Sequence, residues 1–283
     1  MHGSIELENC TDLIPFCSLL QMNASFQVAD DIVDASSTRR GKPCWYKRPG
    51  VGTMAINDAY LFMTCISRII KLVFKDHPSY MQLQEVFQEV TFRTATGQFI
   101  DSTTPLNKEE NPISVYTIES YMTIAKNKSS WYTYYLPLAC SVILASNGSN
   151  SSSSTALAEA EQIMVDMGVL YQIQNDFHDC YGDPFVVGKV GTDIEEGKNT
   201  WLICTALGVA SEEQRRVILE NLGRKEEAAV AAVKRVYLEL GIEGRFRQYE
   251  DEMYSRLMEA IQKQSLPSEI FLKPLNKMYR RSK

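Results

Sequence analysis

Asp30 and Asp34 stand four residues apart in SFQVADDIVD, and Asn175 and Asp179 repeat that spacing in GVLYQIQNDFHD. On a helix, residues four apart share a face, so each stretch would aim two oxygen-bearing side chains one way while Asp31 points aside. Asp183 continues the second row by one more step of four. Both runs sit among apolar neighbours, where an unpaired charge is costly, and that argues against two solvated faces. Opposed across a bundle, they would form an oxygen-lined cage suited to Mg2+ held with waters and substrate phosphates. Cations follow each run: Arg39 and Arg40 after the first, Lys189 and Lys198 after the second, with Lys128 between. Carboxylates for a divalent ion, flanked by Arg and Lys, match the chemistry of diphosphate binding. Any one of these cations alone would read as a surface residue. Asn175 is the anomaly, because an amide offers a metal an oxygen but no charge.

The elements that must position these residues are helical. Apolar residues recur at three- and four-residue steps through NKEENPISVYTIESYMTIAKNKSSWYTYYLPLACSVILAS and again through STALAEAEQIMVDMGVLYQIQNDFHDCYGD. EEQRRVILENLGRKEEAAVAAVKRVYLELG is rich in helix formers, with Gly223 and Gly241 placed to end helices. Alternating strand patterns are missing, so an all-α helical bundle is expected, its site built from side chains on facing helices. SNGSNSSSST, residues 146–155, reads as a polar loop. Residues 181–200, punctuated by Gly and Pro, read as a lid or substrate loop.

The chain has 283 residues, 45% of them apolar, enough for a sizeable core. A net charge of −6 argues against a nucleic-acid partner. No apolar run reaches the ~18 residues of a membrane span. The opening MHGSIELENCTDL lacks the pattern of a secretory signal, so a cytoplasmic location is expected, and the seven cysteines are read as reduced thiols. Asn147 and Asn150 open NxS sequons, read as chance. With three histidines, a His-ligated zinc site is not expected.

DDIVDASSTRRGKPCWYKRPGVGTMAINDAYL resembles the first aspartate-rich region of animal, and especially insect, farnesyl diphosphate synthases, and YQIQNDFHDCYGDPFVVGKVGTDIEEGKNTWL resembles their second. TGQFID, KNKSSWYTYYLP and FLKPLNKMYRRSK match the same isoprenyl diphosphate synthase family in the same order. The resemblance implies one domain over 1–283 with the isoprenoid synthase (class I terpenoid synthase) fold, a homodimer, and three Mg2+ ions acting on an allylic prenyl diphosphate. It also implies that the family's first helices are lacking. Asp30 and Asp34 match ligands of two metals, and Asn175 and Asp179 the segment holding the third. Arg39, Lys128, Lys189 and Lys198 match the cations gripping the allylic diphosphate. Gln172 lines that site, and Gln98 and Asp101 match an inner-face pair. Ser129 stands where the family has Thr. Among these, Lys128, Gln172 and Lys189 are the catalytic candidates.

Several positions depart from the family. Its Gly-Lys-x-x-Arg motif for the second substrate, isopentenyl diphosphate, is not found, Asn23 replaces Gln, and Arg40 and the basic C-terminus remain. Ser25, beside Phe26, replaces an aromatic that closes the hydrocarbon pocket, so a deeper pocket is expected. Asn175, Asp179 and Asp183 carry the spacing of the metal motif in class I terpene synthases, which commonly opens with Asn. Together these departures lead to the expectation of a terpene synthase, a lyase making a sesquiterpene from farnesyl diphosphate. A farnesyl or longer-chain diphosphate synthase is the alternative, and an inactive paralogue serving as a regulatory subunit is a third. The aromatics of SSWYTYYLP could stabilise a cation but fit plain core equally well. His178 is a possible proton acceptor, or a partner for a neighbouring carboxylate.

Overall fold

The computed structural model describes residues 10–104 and 112–281. Helix α1 (Cys10–Val33) carries the first acidic run at its C-terminal end. The chain then turns through a two-residue antiparallel pair, β1 (Thr38–Arg39) with β2 (Lys42–Pro43), whose corner is Arg40 at φ 54° and Gly41 at φ 71°. Among the described residues this is the one sheet, and the all-α expectation holds. Next come α2 (Met54–Phe74), α3 (Tyr80–Thr103), α4 (Pro112–Val115) and α5 (Ile118–Ala125), the last begun by a capping box between Thr117 and Ser120. The expected helix beginning at Asn107 falls partly on 107–111, outside the described residues.

From Lys126 to Tyr135 the helix widens into a π-helix before returning to α form in α6 (Leu136–Ala145). Helix α7 (Asn150–Tyr181) carries the second acidic run. It begins within the serine-rich stretch expected to be a loop. The turn is confined to 146–149, where Asn147 and Gly148 take left-handed φ values of 47° and 84°. Serine's small helix penalty is outweighed by continuity with a long helix whose later turns are buried. Two short helices follow, α8 (Pro184–Val187) and α9 (Asp193–Glu196), and then α10 (Trp201–Val209), α11 (Glu212–Asn221), α12 (Glu227–Glu239), α13 (Ile242–Lys263) and α14 (Glu269–Met278). Gly223 and Gly241, at φ 80° and 63°, make left-handed turns after α11 and α12, as expected.

Helix α7 is the axis of the fold, since it enters each buried apolar cluster. Its Ile173 and Phe177 pack with Trp201 and Phe246 from α10 and α13. Val165 joins Met22, Ile70 and Phe87 of α1–α3. Met167 and Leu170 meet Leu257 and Phe271 of α13 and α14. The π-helical segment lies in a slot between α3 and α7 that two glycines open. A Cβ at Gly97 would come within 2.2 Å of the Lys128 backbone nitrogen, and one at Gly168 within 2.3 Å of the Ser130 Cα.

Both obstacles are backbone, so relief would require moving a helix. Gly168→Ala is therefore expected to cost about 1–3 kcal/mol in urea unfolding. Gly244→Ala on α13, where nothing lies within 4 Å, should be neutral or stabilising by up to ~1 kcal/mol. Equal effects of the two substitutions would refute the slot.

Candidate active site

The C-terminal end of α1, the C-terminal third of α7, the π-helical segment, α3 and the 187–200 loop surround a cavity of about 350 Å³. Phe26, Asp30, Asp34, Arg39, Arg40, Gln98, Lys128, Ser129, Gln172, Asn175, Lys189 and Lys198 line it, so most residues singled out in the sequence meet in one place. Asn23, Asp101, His178, Asp193 and Arg281 also reach the wall.

Its floor of charge is a closed ion-pair cluster. Lys128 Nζ lies 3.2 Å from Asp30 Oδ1 and 2.6 Å from Asp101 Oδ2. Lys198 Nζ lies 2.7 Å from Asp34 Oδ1 and 3.3 Å from the same Asp101 oxygen. Arg39 reaches Asp30 at 3.2 Å and Asp31 at 2.7 Å, and Gln98 donates to Asp30 Oδ1 at 3.1 Å. Asp31 thus turns away from the cavity to anchor the arginine. Burial pushes the Asp30 carboxyl up, but Lys128, Arg39 and Lys198 outweigh it and hold the group below the ordinary carboxylate range. Burial and the Asp30 charge leave Asp34 raised despite Lys198 and Lys128. Lys128 is held well above its usual value: burial opposes this, and Asp101, Asp30 and Asp34 prevail. Both lysines stay cationic.

The facing wall is α7. Gln172 bridges two groups, accepting from the Ser129 hydroxyl and donating to Asp176 Oδ1 at 2.9 Å. Asp176 also accepts the Trp201 N–H at 3.0 Å, and burial pushes it up to about 7. Asn175 presents its amide oxygen to the guanidinium of Arg281, which arrives from the far end of the chain. His178 packs edge-on to Phe177 beside Arg281; burial and that neighbouring charge hold it down to about 4, so it is neutral near pH 7.

Four expectations change here. The buried Ser25 hydroxyl donates to the Ala59 carbonyl at 2.8 Å, so the side chain joins the α1–α2 seam and is not on the cavity wall. Asp179 is also off the wall: it pairs with Lys189 at 3.0 Å and accepts the Asp193 N–H at 2.9 Å. Asp183 caps α8, accepting the Phe185 N–H at 2.8 Å, and does not extend the metal row. The expected lid is tied down, because Gly188 accepts the Gly41 N–H at 2.8 Å, Lys198 holds Asp34, and Gly191 lies so close to Asp179 that a Cβ would strike its carbonyl oxygen at 1.9 Å.

Asp176 and Asp193 have no signal in the spacing of the sequence, and Arg281 is visible there only as part of the basic C-terminus. Asp193 is half-buried beside Asp179, and desolvation with that like charge drives its carboxyl well up. The repeat of four that singled out Asn175 and Asp179 skips Asp176, and nothing in the sequence brings Arg281 next to Asn175.

The sequence profile of the polyprenyl synthetase family matches residues 5–240. Farnesyl pyrophosphate synthase 2 of Arabidopsis thaliana is 43% identical over 264 residues, covering 93% of this chain and 75% of the relative. Farnesyl pyrophosphate synthase of Gallus gallus is 41% identical over 277 residues, covering 97% and 74%. Among solved structures, a T. brucei farnesyl diphosphate synthase bound to a bisphosphonate superposes with a TM-score of 0.88 at 33% identity, over 96% of this chain and 79% of that one. The same enzyme with minodronate gives 0.91 at 30% identity, over 100% and 81%.

Asp101 is the anion that Lys128 and Lys198 share. Asp101→Asn should lower stability in urea unfolding by roughly 2–3 kcal/mol, somewhat less than the loss of an only partner, since each lysine keeps a second carboxylate. An unchanged midpoint would mean that Asp30 and Asp34 suffice.

Proposed function

The chain belongs to the polyprenyl synthetase family, and from that premise we propose that it is a prenyltransferase of the farnesyl diphosphate synthase type. It joins an allylic diphosphate to isopentenyl diphosphate. The observation that carries this reading is the convergence of Asp30 and Asp34 with Lys128, Lys198, Arg39 and Lys189 on one cavity. Relatives named as farnesyl pyrophosphate synthases support chain elongation over the cyclisation expected from the sequence. Two motives for cyclisation also weaken, since Ser25 faces Ala59 and the Asn175 oxygen is engaged by Arg281. Asn23, the third, lines the cavity and accepts from Gln27 at 2.5 Å. The regulatory-subunit alternative loses ground because Asp30, Asp34, Arg39, Lys128, Lys189 and Lys198 all line the cavity.

Mg2+ fits the donors, which are hard carboxylate oxygens paired on one helical face. Among the described residues no three His, Cys, Asp or Glu side chains converge to hold an ion unaided. The fit is therefore to an ion that keeps waters and takes phosphate oxygens as further ligands. Asp30 and Asp34 would hold it from α1, with Asn175 on the facing helix. Bound there, Mg2+ would neutralise charge on the departing diphosphate. The chain's own groups do the rest. Lys128, Lys189, Lys198 and Arg39 hold the diphosphate oxygens, and Phe26, Ile124 and Tyr132 keep water from the hydrocarbon. The allylic C–O bond breaks with both electrons on oxygen. The double bond of isopentenyl diphosphate then attacks the carbocation, and loss of a proton to the departed diphosphate restores an alkene.

Large apolar side chains stand exposed along α2 and α3, among them Tyr60, Leu61, Phe92 and Phe99. Such a face fits a second copy of the chain, and the protein is expected to sediment as a dimer at micromolar concentration. A monomer would overturn that assignment.

With Mg2+, geranyl diphosphate and radiolabelled isopentenyl diphosphate, the label should enter a C15 diphosphate. Asp30→Ala or Asp34→Ala should lower that rate by about 10²–10³-fold. Hydrocarbon released from farnesyl diphosphate alone, with no incorporation, would restore the cyclase reading. Asn175→Asp should lower the Mg2+ concentration needed for half-maximal rate, by adding charge to the metal face. An unchanged Mg2+ dependence would remove Asn175 from the ligand set.

A further inference from the structure

Glu250 lies on α13, 1% exposed, and lines no part of the cavity. A carboxylate buried to that degree needs partners, and it has two. Its Oε1 accepts from Gln174 Nε2 at 2.7 Å, and its Oε2 from Arg247 at 3.4 Å. Gln174, on α7, is also fully buried. Its Nε2 spends both hydrogens, one on Glu250 and one on the Met278 carbonyl at 2.9 Å. Both of those partners are pure acceptors, so the amide can sit only one way round, with Oε1 turned to the opposite side. There it accepts from Arg281 Nε at 2.7 Å. Arg281 then donates through Nη2 to the Tyr171 carbonyl at 3.2 Å and to the Asn175 side chain, with its guanidinium 4.0 Å over the Tyr171 ring. Asp251, next in sequence, holds the other side of the same turn, taking Tyr279 at 2.8 Å and Arg280 at 3.0 Å. Arg280 takes a left-handed φ of 51°, which turns the chain so that Arg281 reaches back to α7.

We infer that Glu250 is a positioning residue: by fixing the amide orientation of Gln174, it sets where Arg281 presents its cation to the cavity, and so the grip on the second diphosphate substrate. This last step rests on the proposed prenyltransferase activity. Gln174 receives the Arg281 Nε–H, and the Glu250 carboxylate and the Met278 carbonyl together keep the amide of Gln174 facing that way. A glutamine at 250 would weaken that bias and leave it to the Met278 carbonyl. Its own amide could donate to Gln174, which could then rotate and oppose Arg281 Nε with a second donor.

The test is a double-mutant cycle on the full chain, with Glu250→Gln, Arg281→Gln and the pair together, checked for folding by thermal melts. Glu250→Gln should raise KM for isopentenyl diphosphate about tenfold, within the range for outer-shell partners, with kcat and KM for the allylic substrate little changed. In the Arg281→Gln background it should add nothing. An additive effect, or one falling equally on both substrates, would overturn the inference. Should Glu250→Gln fail to fold, Glu250→Asp, which keeps the acceptor, is expected to retain the wild-type KM for both substrates, and a rise in either would count against the relay. A second readout needs no turnover. The Arg281 Nε–H should give a slowly exchanging ¹⁵N-resolved NMR signal in the wild type, assigned by its loss in Arg281→Gln, and that signal should exchange rapidly in Glu250→Gln. A protein that does not use isopentenyl diphosphate but shows this change loses the substrate reading and keeps the relay. A signal indifferent to Glu250 sinks the relay whatever the substrate.

Discussion

One Asp101 oxygen serves Lys128 and Lys198 together, at 2.6 and 3.3 Å, and the rest of the site is arranged around that sharing. Burying two ammonium groups among helices is tolerable only when carboxylates answer them at short range. Asp30 and Asp34 supply the second partner for each lysine, and Arg39 completes the ring through Asp30 and Asp31. In this cluster the carboxylates outnumber the cations by one. A divalent ion alone would leave it positive, and a diphosphate alone would leave it strongly negative. A divalent ion would offset most of the charge that a diphosphate brings, which would link metal and substrate binding by charge balance.

That cluster requires backbone geometry that ordinary helices would not give. Lys128 and Ser129 belong to a π-helical stretch, a local widening that recurs at functional sites because it re-aims side chains at some cost to the helix. Here the widened helix is clasped between Gly97 and Gly168, so the neighbouring helices approach to backbone contact. The same contact places Lys128 against Asp101, one helical turn beyond Gly97 on α3, and Ser129 against Gln172, one turn beyond Gly168 on α7. Packing and chemistry are joined at these two points.

Much of this was legible in the sequence, and for a physical reason. The period of four in Asp30/Asp34 and Asn175/Asp179 is the period of a helix, so one helix face could be read directly, and the cations between and after the runs fell on the same cavity. The all-α architecture followed from the same periodicity. What the sequence did not disclose depends on partners distant along the chain. A π-helix has no period of its own that distinguishes KNKSSWYTYY from an α-helical run. Ser25 lies one residue from Phe26, which lines the cavity, yet a single step round the helix turns it to Ala59. Asp179 matched the row of four, but Lys189 and the Asp193 N–H draw its oxygens off the wall. Loop 181–200 looked free because its Gly and Pro content ruled out a long helix, while its anchors, Gly41 and Asp34, come from the first acidic region.

Asn175 illustrates the same limit. Taken with its spacing alone, an amide at the head of a metal row points to a change of chemistry. In the fold it has a neighbour, Arg281, and its oxygen is an acceptor for that guanidinium. The guanidinium already makes this bond charge-assisted, and a carboxylate here would add the opposite charge and hold the C-terminal segment more tightly to α7. The amide gives the tail a weaker hold while leaving an oxygen turned towards the cavity. Arg281 keeps a second acceptor in Gln174, whose orientation does not depend on residue 175. A neutral group at 175 therefore bears on the tail and on the proposed metal face alike. Only on the tail side does the structure supply a substitute, since Asp176, the nearest carboxylate on α7, is committed to Gln172 and the Trp201 N–H.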